Sequence, residues 1–162
     1  MGKPLKKIMV YIDGTEQSVT AAQYAICLAS FSGAELVAHY VVNTRAVEDL
    51  LKARIFLKDE RVEYEHDMEA NADRYLDYVD GLAQKKGVAL VKKRSRGNVH
   101  KEILDAVREY DVDLLVIGEL SRIRSRRDEF YDEAERAMRT VPCSVLIVKD
   151  EDKVWELYES LG

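Results

Sequence analysis

Asp113-Leu114-Leu115-Val116-Ile117-Gly118 is the stretch whose reading decides the fold. Its apolar residues follow one another without alternation, and the run is too short for a helix. A strand with one wet face would alternate apolar and polar, so this one is read as covered on both faces, as a central parallel strand is. The sequence before it supports that reading. Asn98 stands where a helix cap belongs, and Val99, Ile103, Ala106 and Val107 then recur at helical spacing.

The same alternation extends to both ends of the chain. Lys7 to Ile12 reads as a buried strand that stops at Asp13-Gly14-Thr15. Thr15 can cap the following helix, whose stripe is Val19, Ala22, Ile26 and Ala29 and whose end is Ser32-Gly33. Leu36 to Val42 is a second strand. Residues 45–57 lack strand alternation, and Val47, Leu50, Leu51 and Arg54 predict a short amphipathic helix; its apolar residues Val47, Leu50, Leu51 and Phe56 need cover, which places it over the crevice or against a partner subunit. A long helix over 59–86, with Tyr64, Met68, Ala72, Tyr75, Val79 and Leu82 on one face, leads to a third strand. That strand starts at Val88 and reaches Val91 or Ser95. After the Asp113 run and an arginine-rich loop, a helix over 128–139 and Val141-Pro142 lead to a last strand, Ser144 to Val148. Strand and helix alternate throughout, which predicts an α/β fold of three layers (α/β/α) around a parallel five-stranded sheet. With order 3-2-1-4-5, the ligand crevice falls between the first and fourth strands, beyond their carboxyl ends.

Composition bounds the function. The 162 residues suffice for one domain with its own core, and a net charge of -5 argues against non-specific nucleic-acid binding by the molecule as a whole. No apolar run is long enough to span a membrane, and no secretory segment follows the basic N-terminus, so the cytoplasm is expected. Cys27 and Cys143 lack metal spacing and read as small buried thiols. The histidines, His39, His66 and His100, fall on strand, helix and loop, and no metal is expected. P-loop, dinucleotide-loop and nucleophile-elbow motifs are all missing, and no residue stands out as a nucleophile, so no enzyme activity is expected. Lys92, Lys93, Arg94 and Arg96 form a basic cluster read as an exposed face after an edge strand, apart from the arginine-rich loop.

Two loops meet at the expected crevice, Asp13-Gly14-Thr15-Glu16 and Gly118-Glu119-Leu120-Ser121. Asp13 is either a turn carboxylate or a ligand contact. Here a family likeness enters. Ile12-Asp13-Gly14-Thr15-Glu16-Gln17-Ser18, then Gly97 with Ile103 and Asp113 to Gly118, then Val141 to Val148, resemble in order and spacing the opening, middle and closing segments of the universal stress protein family. The resemblance spans about residues 6–149, with Ser144 where a proline is usual. It implies a domain over 1–150, the adenine nucleotide alpha hydrolase-like arrangement of the sheet, and a homodimer through Ser144 to Val148. Residues 151–162 are then an added tail, with Val154, Leu157, Tyr158 and Leu161 in a helical stripe.

The resemblance also frames the ligand question. Family members that bind ATP carry Gly-x-x-Gly, nine residues, then Gly-Ser or Gly-Thr, so that backbone amides reach phosphate oxygens. Here Gly118 matches the first glycine, Ser121 replaces the second, and Tyr131-Asp132 stands at the closing pair. A tyrosine fills space there and an aspartate repels phosphate, which predicts a protein without a firmly held ATP cofactor. If adenine nucleotide (ATP or AMP) does bind, Asp13 and Val41 belong at the adenosine end, and Gly118, Ser121, Arg122 and Arg124 at the phosphates. Slow ATP hydrolysis is the least favoured outcome, because no general base can be named.

Overall fold

The computed structural model describes residues 5–44, 48, 52–53, 58–120 and 133–162. Among them the chain alternates strand β1 (Lys7–Ile12), helix α1 (Glu16–Ser32), β2 (Glu35–Asn43), α2 (Lys58–Lys85), β3 (Leu90–Gly97), α3 (Val99–Glu109), β4 (Leu114–Gly118), α4 (Glu133–Thr140), β5 (Ser144–Val148) and α5 (Glu151–Ser160). The five strands form one parallel sheet of order β3-β2-β1-β4-β5. Leu115, Val116 and Ile117 are fully buried, as the uninterrupted apolar run requires.

Two cores lie on opposite faces of the sheet. Ile8, Val10 and Ile12 point into a cluster with α1 and α2, while Met9 and Leu115 join Val99, Ile103, Ala106 and Val107 of α3. Each fully buried aliphatic side chain contributes roughly 1.5–3 kcal/mol, so these alternating faces dominate the stability of the sheet. The cap at Thr15 forms as expected: its hydroxyl oxygen accepts from the Ser18 N–H at 3.2 Å. Gly33 closes α1 in the left-handed conformation at φ 73°. Asn98 precedes α3 but makes no side-chain cap bond, and its Oδ1 is buried without a partner. Asn98 thus holds the expected cap position, with its carbonyl accepting from the Glu102 N–H at 2.9 Å, but without a side-chain cap bond.

Other boundaries also differ. β3 begins at Leu90 and runs to Gly97, so the basic cluster lies within the edge strand and not after it. Its charges are not a free surface: Lys92 pairs with Asp77, Arg94 with Asp73, and Arg96 with Glu65 and Glu69, while Lys93 reaches Glu109 of α3. The buried side of α2 is Ala72, Leu76, Val79, Leu82 and Ala83, and Tyr64 near its start is exposed. Residues 128–132 of the helix expected over 128–139 lie outside the described residues. The overhanging segment 45–57 does too, apart from residues 48, 52 and 53.

The tail packs back on its own domain. Val154 and Tyr158 are buried in the α1/α2 core, the Tyr158 hydroxyl donates to the Leu82 carbonyl at 2.7 Å, and the Lys86 ammonium donates to the Leu161 carbonyl at 2.9 Å. Tyr24, Cys27 and Leu28 of α1 pack in the same cluster, which explains why α1 is apolar on more than one face. Burial pushes the thiols of Cys27 and Cys143 above their ordinary range.

Candidate functional site

The strand order reverses between β1 and β4, and the register there pairs Val10 with Val116. Two residues further on, Ile12 and Gly118 bring the two loops side by side. The Asp13 carboxylate accepts from the Thr15 N–H at 3.0 Å and from the Thr15 hydroxyl at 2.6 Å, both on Oδ1. Asp13 thus shapes the turn that starts α1, an arrangement short polar side chains favour. Gly14 adopts φ 83°, a conformation other residues enter only with strain.

Gly118 is a glycine because of α1. A Cβ added there would stand 2.5 Å from the backbone carbonyl oxygen of Gln17, and backbone cannot swing aside. The end of β4 is therefore pressed directly onto the first turn of α1. Val41 is buried beneath α3 in the cluster with Met9, Val37 and Ile103, so its side chain belongs to the core. Ser121, Arg122 and Arg124, with Tyr131 and Asp132, fall outside the described residues, so of the expected site residues the structure brings together Asp13 and Gly118 at the crevice.

Sequence reading missed a tyrosine pair at this edge. Tyr40 lies in register with Ile12, and its ring stacks on Tyr75 of α2 with centroids 6.3 Å apart. A Cβ on Gly14 would meet Tyr75 at 3.1 Å and the Tyr40 hydroxyl at 3.5 Å, so the pair roofs the first loop from the α2 side. Burial, then the Asp13 carboxylate and Tyr75, raise the Tyr40 phenol above its usual range. The signal lay in two phases read together, the register of β2 on β1 and the turn of α2 over β2.

On the opposite side of the sheet, His100 stands in the first turn of α3 and not in a loop. Its ring Nδ1 lies 2.6 Å from Glu133 Oε2, and the same oxygen accepts from its backbone N–H at 3.2 Å. Glu133 thereby ties the start of α4 to the start of α3. Among the described residues no group of three or more His, Cys, Asp or Glu side chains is placed to hold a metal ion.

A strand reversal closed by Asp-Gly-Thr and a helix-packed glycine invites comparison with known proteins. Residues 4–149 match the model of the universal stress protein family. The chain belongs to that family. A universal stress protein of Methanocaldococcus jannaschii is 29% identical over 148 residues, covering 91% of this chain and 84% of the relative. A crystal structure from the family in Burkholderia pseudomallei superposes with a TM-score of 0.70 at 24% identity, covering 93% of this chain and all of that one. A universal stress protein solved in complex with cAMP has a TM-score of 0.68 at 20% identity, covering 90% of this chain and 98% of that chain. At these identities the structural likenesses show the shared fold.

Proposed function

We propose that this universal stress protein is a non-enzymatic stress-response or regulatory domain of the cytoplasm, that it does not hold ATP firmly, and that it works as a homodimer through β5. The observation that carries the ligand half is the phosphate segment after Gly118, where Ser121 and Tyr131-Asp132 replace the small residues of nucleotide-binding members. The packing of Tyr40 and Tyr75 against Gly14 is consistent with it, because it narrows the same edge. Among the described residues no helix is long and apolar enough to cross a membrane.

Calorimetric titration tests the reading. No ATP binding is expected at roughly 100 μM, a binding free energy weaker than about -5.5 kcal/mol. A micromolar dissociation constant would overturn it, as would ATP released from freshly purified, denatured protein and detected by mass spectrometry. Restoring the motif with Tyr131→Gly and Asp132→Ser should raise the affinity.

A second reading has a specific observation behind it, the solved relative in complex with cAMP. In that reading this chain binds an adenine nucleotide at the β1/β4 crevice, with Asp13 and Gly118 beside it. Titration with cAMP and AMP alongside ATP separates the two.

A further inference from the structure

The groove between β5 and α5 has a volume of about 280 Å³; Tyr24, Leu146, Val148, Val154 and Leu157 form its apolar wall, and Lys149, Asp150 and Lys153 line its polar end. Val154 is buried, while Leu157, on the groove side, is 40% exposed and Trp155, which does not line the groove, is 51% exposed. β5 lies at the end of the sheet, hydrogen-bonded to β4, and among the described residues nothing pairs with its outer side. A groove with one apolar wall thus runs alongside an open row of backbone donors and acceptors.

We propose that α5 is part of the homodimer contact, with Leu157 closing this groove against a second copy of the chain. The proposal rests on the homodimer reading given above and adds to it a segment outside the family match, which ends at residue 149. The geometry argues for a second copy as occupant. Strand β5 runs from Ser144 to Val148, so antiparallel pairing with its two-fold mate is centred on Leu146. Leu146 then sits on the axis beside its own copy, with Cβ atoms about 5 Å apart. A two-fold axis perpendicular to the sheet keeps each face on the same side. Leu146 packs on the α1/α5 face, so the two grooves open towards each other there. Leu157, lining the groove with Leu146, is brought next to the axis and meets apolar surface of the mate. The buried Val154 and Tyr158 fix α5 to its own subunit, so it enters the interface as a rigid element.

Sedimentation equilibrium of the full chain and of Leu157→Asp decides the matter. The full chain is expected to be a dimer, and Leu157→Asp to raise its dissociation constant at least tenfold with an unchanged circular dichroism spectrum. Leu157→Ser, which brings no charge, is the second variant, with a rise of about threefold or more. A dimer whose dissociation constant is the same in both variants would overturn the role of α5 while leaving strand pairing standing. A full chain that is monomeric at about 50 μM would overturn both.

Discussion

The sheet has two edges, and they are finished in opposite ways. The β3 edge carries Lys92, Arg94 and Arg96 at every second position, facing Asp77, Asp73, Glu69 and Glu65 at every fourth position of α2. Two residues of strand advance about 6.6 Å and four residues of helix about 6.0 Å, so the two rows stay in step over several pairs. α2 runs antiparallel to β3, which is why the numbers rise along one row as they fall along the other. Burial alone would raise the Glu65 carboxyl, but the Arg61 and Arg96 guanidiniums hold it below its usual range. Such a charged edge resists pairing with another sheet. The β5 edge carries Val145, Leu146 and Ile147, all half-buried and uncharged. The basic cluster read as an exposed face thus spends its charges on pairs within the molecule, and the apolar strand β5 is the open edge.

The largest effect that would test this contrast lies beneath the charged edge. His39 of β2 is fully buried, is 2.7 Å from the Ser95 hydroxyl of β3 through Nε2, and has no partner for Nδ1. Burial, with a smaller push from Lys93, lowers its pKa to about 4. In the unfolded chain it titrates near 6.5, so the unfolded state takes up the proton first. Stability should therefore fall as the pH drops from about 6.5 to about 4, by about 3 kcal/mol, and the loss should be complete below the folded pKa. Urea denaturation at pH 7 and pH 4 measures it, and His39→Leu should remove most of that difference. Parallel pH profiles for the two proteins would show that His39 does not anchor the β3 side.

The next effect compares the edges directly. A lysine placed at Ile147 on β5 should raise the dimer dissociation constant at least tenfold, about 1.4 kcal/mol. A lysine placed at Val91 on β3, which is 50% exposed, should leave association unchanged and stability within about 0.5 kcal/mol. If the Val91 variant is the one that dissociates, the contrast is reversed.

The smallest effect concerns the ion-pair row itself. Arg94 and Asp73 approach to 2.7 Å but are both about half exposed. A double-mutant cycle with Arg94→Ala and Asp73→Ala should give a coupling below about 1 kcal/mol. It should fade in 1 M salt, where charges are screened within about 3 Å. A coupling well above that, insensitive to salt, would make the row a main support of the fold and not chiefly a guard of its edge.

Some of this could be read without coordinates. The unbroken apolar run of β4 points to a strand covered on both faces, and the alternation of strands with helices along the chain makes the sheet parallel. Thr15 caps α1 and Val99, Ile103, Ala106 and Val107 form the inner face of α3 because caps and helical stripes are set by residues a few positions apart. Asn98 shows the limit of that rule: it stands at the cap position, but its Oδ1 is buried without a partner and makes no cap bond. At the crevice, Asp13 and Gly118 were legible as neighbours from the strand order. The reason for Gly118, the Gln17 backbone pressed against it, was not.

What the sequence by itself determined is what depends on local periodicity, the alternation of strand and helix and the apolar character of β5 and α5; the sheet order came from the family likeness and not from periodicity. The tertiary structure alone decided what met across long separations. It paired the β3 cations with α2, stacked Tyr40 on Tyr75 over Gly14, buried His39 against Ser95, and laid α5 on α1 with its Tyr158 hydroxyl on Leu82. The physical reason is that a charge or an aromatic ring carries no record of its partner. Its role is fixed only when packing of the two cores sets the distance and removes the water between them.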